Sequence, residues 1–212
     1  MTLETEEEKE EKQEIPGIEQ PLDEGGLVVP KIPPAHHPIL EPRAFKGLRG
    51  GRGSAKSHIV ATLLVARASA EHRRVVCGRE IQNSIDDSVK QLLEQKIRIL
   101  GLSHLFEVTQ REIRCPLHES LFIFRGFRNH TVSSIKSLEG FHDLWMEEAQ
   151  NVSQHSLDLA IPTFRSDDGE QIYTWNRVNP DDPVEKMFNE NEGDDDFLCL
   201  DVNYWDNPWF PE

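Results

Sequence analysis

The segment RGGRGSAKS, residues 49–57, decides the fold class of this 212-residue chain. A phosphate-binding loop has the pattern GxxxxGK[ST] and lies between a strand and a helix. Gly50, Lys56 and Ser57 stand at the first, seventh and eighth positions of that pattern. An apolar run at residues 59–70 follows at once and is predicted to be helical. The segment therefore predicts a site for nucleotide phosphates, with a glycine-rich turn that begins a helix as the alternative.

The residues of this loop each have a chemical purpose in the predicted site. Glycines let successive backbone N–H groups face the phosphates, and the helix N-terminus adds a partial positive charge. We predict that Lys56 reaches the β- and γ-phosphates and that the Ser57 hydroxyl binds Mg²⁺. Ala55 replaces the second glycine of the pattern. Its methyl group is tolerable if the local φ is negative. In the alternative interpretation, Ser54 is the N-cap of the helix.

A second segment, HDLWMEEAQ at residues 142–150, is an apolar run that ends in two carboxylates. We predict that Glu147 holds Mg²⁺, directly or through water, and that Glu148 polarises the attacking water as the general base. Asp143 stands at the start of the run and is not expected to be the metal ligand. Taken alone, the segment also fits a buried strand followed by a charged helix cap.

A third segment, YTWNRVNP at residues 173–180, contains the end of the strand predicted over residues 171–175. Its Asn176 places a polar amide at the strand end, where it could sense hydrolysis beside the γ-phosphate. By itself the segment predicts only a strand and a turn that ends in proline.

Strand-like and helix-like patterns alternate from Phe45 onward. Helices are predicted over residues 59–70, 81–100, 156–161 and 182–189, and strands over residues 74–77, 106–108, 113–115, 121–124, 142–146, 171–175 and 197–202. The three short strands between residues 106 and 124 are expected to form an antiparallel excursion. This alternation is typical of an α/β fold with a mostly parallel sheet flanked by helices.

The charge of the chain is concentrated at its two ends. The chain has 38 acidic and 23 basic residues, a net charge of −15, whereas residues 27–180 carry +3. The acidic composition therefore does not exclude a polyanionic ligand on the central part. We predict a disordered acidic segment at residues 1–26, a Pro-rich extended arm rather than a helix at 27–42, and one domain at 43–212. His36 and His37, in the arm, are assigned to a solvated loop rather than to a metal site.

Three widely spaced cysteines, Cys77, Cys115 and Cys199, predict no disulfide framework. The N-terminus is rich in glutamate and has no signal-peptide pattern. The longest apolar stretch has about ten residues, whereas roughly twenty are needed to cross a bilayer. We therefore expect a protein of a reducing compartment with no membrane partner.

Five segments in one order carry a family resemblance: GGRGSAKS, CGREIQNSIDDSV, IKSLEG, LWMEEAQ and NYWDNPWFPE. Together they resemble the ATPase part of the large terminase subunit of tailed double-stranded DNA bacteriophages, from about residue 37 to residue 212. The resemblance implies a P-loop ATPase of the additional-strand, catalytic-glutamate type that uses ATP and Mg²⁺ to drive DNA into a procapsid in the host cytoplasm. The implied partners are double-stranded DNA, the portal protein, the small terminase subunit and further copies of the chain in a ring on the procapsid.

Carried over by position, the resemblance implies nucleotide binding by the whole loop, Gly50, Gly51, Arg52, Gly53, Ser54, Ala55, Lys56 and Ser57. It implies a metal site at Ser57 and Glu147, catalysis by Lys56 and Glu148, and coupling to DNA movement through Asn176. Arg52 matches an arginine finger, which would stabilise charge developing on the γ-phosphate, and a solvent-facing loop residue is the alternative. Arg79 is expected to face nucleotide or a neighbouring subunit.

The family's large subunit also has a C-terminal nuclease domain, and this chain is expected to lack it. The acidic run at residues 194–196 is assigned to a solvated loop, so no nuclease activity is predicted. A non-hydrolysing nucleotide-binding or assembly module from a truncated terminase remains the alternative function, and a helicase is the least favoured. Basic residues that could meet DNA phosphates, with a solvated face as the alternative, are Arg111, Arg114, Arg125, Arg128 and Lys136.

Overall fold

The computed structural model describes residues 30–81, 85–128 and 138–211. Within these ranges, eight strands form one sheet: β1 Phe45–Arg49, β2 Arg74–Arg79, β3 Glu107–Val108, β4 Glu112–Cys115, β5 Ser120–Gly126, β6 Asp143–Glu147, β7 Gln171–Trp175 and β8 Phe197–Asp201. The α-helices of the same ranges are α1 Lys56–Ala70, α2 Ile85–Ile99, α3 Gln154–Ala160 and α4 Pro183–Glu190. No helix of this part of the chain is both long and apolar enough to cross a bilayer.

The strands follow the spatial order β3-β4-β5-β2-β6-β7-β1-β8. From β5 to β8 all neighbours are parallel, whereas β4 pairs antiparallel with β5 and β3 with β4, which is the predicted excursion. Strand β7 lies between β1, which leads into the loop at residues 50–57, and β6, which ends at Glu147. A strand inserted between these two is the additional strand of the predicted class, so the predicted fold class is confirmed.

The parallel arrangement places the functional segments together. Because parallel strands all end at the same edge of a sheet, the segments after β1, β2, β6 and β7 meet there. Asp143 lies at the other end of β6, about 13 Å from Glu147 at roughly 3.3 Å per strand residue. Its buried carboxylate accepts a hydrogen bond from the Glu170 N–H at 3.1 Å. Asp143 is therefore outside the site, as the sequence interpretation held.

Two apolar layers cover the faces of the sheet. Side chains alternate across a strand, so Trp145 packs with α1 and α2 while its neighbours Leu144 and Met146 pack with α3 and α4 on the other face. All three side chains are fully buried. Helix α1 is the central helix, since ten of its fifteen residues are buried. This burial fixes the direction in which α1 leaves the loop at residues 50–57.

The arm at residues 27–42 was predicted to be extended, and that prediction is wrong for part of it. Residues Pro34–Leu40 form a 3-10 helix with proline at its first position, where a missing N–H costs nothing. His36 was assigned to a solvated loop, but its ring is fully buried. The ring bonds to the carbonyl of Ser54, and this tertiary contact overrides the preference of the prolines.

Candidate nucleotide-binding site

The loop at residues 50–57, called the phosphate loop below, connects β1 to α1. Gly50 begins it with φ +147°, and its N–H donates to the carbonyl of Trp175 at 3.2 Å. A Cβ atom at Gly50 would lie 1.8 Å from the carbonyl oxygen of Val202, so only glycine fits. The first glycine of the sequence pattern is therefore required by close backbone approach.

Lys56 occupies the centre of the phosphate loop. Its ammonium donates to the carbonyls of Gly50 at 3.1 Å and Gly51 at 2.7 Å, and to the hydroxyl of Ser54 at 2.9 Å. Oδ1 of Asn176, directly after β7, also lies 3.2 Å from this nitrogen, so four oxygens share the three ammonium protons. The structure thus brings the predicted coupling residue into direct contact with the predicted phosphate-binding lysine.

Burial lowers the pKa of Lys56 to about 8, and the charge of Glu147 acts in the opposite direction. The lysine is 8% exposed, so its charge is only partly hydrated. A phosphate group next to this ammonium would replace the lost hydration. The electrostatics of the loop therefore favour an anionic ligand.

Ser57 and Glu147 meet across the site. The Ser57 hydroxyl donates to Oε1 of Glu147 at 3.1 Å, which places two oxygen ligands side by side. Mg²⁺ is usually held by one or two protein oxygens together with substrate phosphates and water. In the described ranges no cluster of three or more His, Cys, Asp or Glu side chains could hold a metal alone. The Ser57–Glu147 pair therefore fits Mg²⁺ that arrives with a nucleotide.

Arg79, at the end of β2, faces both predicted carboxylates. Its guanidinium pairs with Glu147 and lies 3.5 Å from Oε2 of Glu148. Burial raises the pKa of Glu147, and the charge of Arg79 opposes that rise. The guanidinium thus supplies positive charge where Mg²⁺ would otherwise balance the carboxylates. The sequence left open whether Arg79 faces nucleotide or another subunit, and within the chain it faces the carboxylates.

Glu148 follows β6 directly and adopts a left-handed conformation with φ +53°. Its side chain is 47% exposed and lines the same cavity as Lys56 and Asn176. A carboxylate that is exposed to the cavity and lies beyond the metal-ligand position is placed where it can polarise a water molecule.

Ala55 differs from the sequence-based expectation. The methyl group was expected to require a negative φ, but Ala55 has φ +64° and ψ +9°. It also occupies the N-cap position of α1 without a side-chain cap, so the alternative role of Ser54 as N-cap is wrong. The Ser54 hydroxyl instead donates to the Gly51 carbonyl at 2.9 Å, and this hydrogen bond stabilises the loop from within.

These groups line one cavity of about 590 Å³, a size typical of small-ligand sites. Arg52 lines the cavity and is exposed, which fits both the predicted arginine finger and the alternative of a solvent-facing loop residue. The wall also contains residues to which the sequence interpretation gave no role, namely Lys96, Gln150, Asn207 and Trp209. The motif NYWDNPWFPE signalled Asn207 and Trp209, but only as part of a resemblance. Lys96 had no sequence signal beyond its place in a helical pattern.

Some predicted features lie away from this cavity or outside the description. The acidic run at residues 194–196 is exposed just before β8. Arg111 and Arg114 are exposed near β4, and Arg128 is exposed after β5. Parts of three resemblance segments (residues 82–84, 135–137 and 212) and Lys136 lie outside the described residues.

The inserted β7, the loop after β1 and the adjacent carboxylates Glu147 and Glu148 at the end of β6 define a P-loop NTPase of the additional-strand, catalytic-glutamate class. Residues 43–212 match the family model described as phage terminase large subunit. The chain therefore belongs to the phage terminase large subunit family.

Known relatives and structures extend this result. The PBSX phage terminase large subunit of Bacillus subtilis (strain 168) is 27% identical over 124 residues, which are 58% of this chain and 28% of that protein. The large terminase of the thermophilic bacteriophage D6E in complex with ADP gives a TM-score of 0.66 at 12% identity, over 82% of this chain and 42% of that chain. The N-terminal domain of the DNA packaging ATPase from bacteriophage phi29 gives 0.61 at 16% identity, over 81% of this chain and 97% of that domain. The similarity spans about a quarter of the curated relative, and the structural likeness concerns the fold.

Proposed function

We propose that residues 43–212 form an ATPase that hydrolyses Mg²⁺-ATP to move double-stranded viral DNA into a procapsid. One observation carries the proposal: Lys56, Ser57, Glu147, Glu148 and Asn176 come from three parallel strand ends and line one cavity. Family membership and the ADP bound by the D6E large terminase support a nucleotide as the ligand. The name of the phi29 protein supports packaging.

The side chains divide the chemistry among them. Lys56 exchanges its carbonyl partners Gly50 and Gly51 for the β- and γ-phosphates, since a charge-assisted bond to phosphate is stronger than one to a neutral carbonyl. Ser57 and Glu147 would hold Mg²⁺, which would supply Lewis-acid charge to the transferred phosphoryl group. Glu148 takes the proton of the attacking water.

Two further residues complete the proposed mechanism. Arg52 acts as the arginine finger, because an exposed guanidinium that lines the cavity can approach the γ-phosphate oxygens. The side chain of Asn176 accepts a hydrogen bond from Lys56 at 3.2 Å, so this contact changes when the lysine binds a phosphate. This contact couples hydrolysis to the end of β7 and so to DNA movement.

The wider setting is proposed from the family. The chain would act in the host cytoplasm as a homo-oligomeric ring on the procapsid, with the portal protein, the small terminase subunit and double-stranded DNA as partners. The exposed Arg111, Arg114 and Arg128 are candidates for DNA phosphate contacts. We assign no nuclease activity to residues 43–212, and DNA cleavage that is abolished by Asp194→Ala would contradict that assignment.

The test is steady-state hydrolysis of Mg²⁺-ATP by the full chain, with and without double-stranded DNA. We expect Glu148→Gln to reduce kcat by about 10²–10⁴-fold, since it removes a general base. Lys56→Ala should lose both binding and turnover. Glu107→Gln and Lys186→Ala make the same kinds of change at exposed positions and should leave the rate unchanged.

A second function, nucleotide binding without turnover, is favoured by one contact. Arg79 lies 3.5 Å from Glu148 and so competes with water for the proposed base. If the wild type binds Mg²⁺-ATP but shows no turnover even with DNA, this binding-module interpretation replaces the motor. Turnover that is stimulated by DNA would exclude it.

A further inference from the structure

We propose that His36 and Asn207 are positioning residues that orient the phosphate loop for anion binding by holding two consecutive carbonyls. The inference rests on the proposed nucleotide-binding function. Nε2 of His36 contacts the carbonyl oxygen of Ser54 at 2.9 Å, and Nδ2 of Asn207 donates to the carbonyl oxygen of Gly53 at 2.7 Å. His36 precedes the sheet and Asn207 follows it, so the loop is held from both ends of the domain.

The donor at each contact is fixed by its neighbours. A carbonyl oxygen only accepts, so Nε2 of His36 carries the proton. Nδ1 of the same buried ring has no hydrogen-bond partner in the described residues, and burial lowers the pKa of His36, which favours the neutral ring with its proton on Nε2. The amide of Asn207 is oriented because its Oδ1 accepts the N–H of Trp209 at 3.0 Å. Its nitrogen is thereby directed to Gly53.

Because the peptide group is planar, these two contacts also determine the directions of the N–H groups of the residues that follow. In a planar trans peptide, the C=O of one residue and the N–H of the next point in opposite directions. Holding the carbonyl of Gly53 therefore directs the Ser54 N–H away from Asn207. Holding the carbonyl of Ser54 directs the Ala55 N–H away from His36 in the same manner. Successive N–H groups that point to one side form an anion-binding concavity.

Two more contacts join the loop to the segment that carries Asn207. Oδ1 of Asn203 accepts the Gly51 N–H at 3.3 Å. The ring of Phe210 lies over Gly53, where an added Cβ would be 2.3 Å from a ring carbon. A capping box between Asn203 and Asp206 stiffens the segment that carries these residues. Residues 203–210 therefore pack against the phosphate loop, and Asn207 is their hydrogen-bond donor to it.

The experiment compares variants of the full chain by titration with Mg²⁺-ADP, by KM and kcat for Mg²⁺-ATP, and by urea unfolding. Asn207→Ala and His36→Leu remove one donor each, so we expect the Kd for Mg²⁺-ADP and the KM to rise about 5–10-fold, with kcat within twofold of wild type. His36→Gln keeps a donor near the Nε2 position and should bind close to wild type. Asn191→Ala is the matched control, because Asn191 also donates to a carbonyl, that of Met187 at 2.8 Å, and neither residue lines the cavity.

The outcomes separate the two levels of inference. If Asn207→Ala and His36→Leu lose stability as Asn191→Ala does but keep wild-type Kd and KM, the contacts only stabilise the fold and the inference is overturned. If the wild type binds no more Mg²⁺-ADP than Lys56→Ala does, the proposed function fails and the inference falls with it. Should His36→Leu not fold, the wild-type amide signals of Ser54 and Ala55 decide by NMR. They should shift when Mg²⁺-ADP is added, and unchanged signals would contradict the inference.

Discussion

Replacing Ala55 by glycine should stabilise this protein, although glycine usually destabilises. Ala55 has φ +64° and ψ +9°, a left-handed conformation that costs a residue with a Cβ roughly 1–2 kcal/mol. Glycine avoids this cost but gives the unfolded chain more freedom, which offsets about 0.4–1 kcal/mol. The expected net gain in the free energy of unfolding is therefore about 0.5–1 kcal/mol. For a domain of this size that corresponds to a rise in Tm of about 2 °C.

The matched control is the same substitution in ordinary helical backbone. Ala66 lies in α1 and is half-buried, and Ala66→Gly should lower the stability by about 0.5–1 kcal/mol or slightly more. Urea unfolding of the two variants beside wild type measures both signs under one condition. A loss of stability in Ala55→Gly equal to that in Ala66→Gly would show that Ala55 is unstrained and would refute the reasoning.

Three other changes test separate features. Burial raises the pKa of Asp143 to about 6, so the folded state binds its proton more tightly than the unfolded state, and this carboxyl lowers the stability as pH rises from about 4 to 6. Asp143→Asn should therefore flatten that part of the pH–stability curve and be more stable than wild type at pH 7. A variant less stable than wild type at pH 7 would contradict this reasoning. Burial lowers the pKa of Lys56 to about 8, so the affinity for Mg²⁺-ADP should fall as pH rises above about 8, whereas Lys56→Arg should lack this dependence in isothermal titrations. Gly50→Ala would place a Cβ 1.8 Å from the Val202 oxygen and should cost about 1–3 kcal/mol or more by urea unfolding, and wild-type stability would contradict the close approach.

Local sequence patterns were sufficient to predict most of the fold. The run at residues 171–175 is rich in β-branched and aromatic residues, is bounded by polar residues and is a strand as predicted. The prolines at residues 27–42 misled, because a short 3-10 helix accepts proline at its start and gains a buried tertiary contact through His36. No local pattern contains that contact, since its partner Ser54 is eighteen residues away.

The candidate site likewise combines residues that a sequence pattern predicts and features that only tertiary contacts determine. Lys56 and Ser57 were predicted from their spacing in the phosphate-loop pattern and Glu147 from its place at the end of an apolar run, and the structure brings the three together. The positive φ of Ala55 could not be found, because a backbone conformation is set by what holds the loop on both sides. Asn207 belongs to a segment more than 150 residues later in the chain, and only the placement of β8 beside β1 brings it to the loop.

Three non-glycine residues in the described ranges have positive φ, and two of them lie in the loops of the candidate site, whereas Glu119 lies in the turn between β4 and β5. Ala55 and Glu148 both have positive φ without being glycine, and they line the same cavity. Such strain persists only where the surroundings determine the conformation more strongly than the residue itself does. The contacts of His36 and Asn207 provide this at the phosphate loop. At the second loop, the 3-10 turn Ala149–Asn151 does so, since its first residue is fully buried and anchors the chain directly after Glu148. Each loop is therefore held in place before a nucleotide enters, so binding need not supply the energy that orders it.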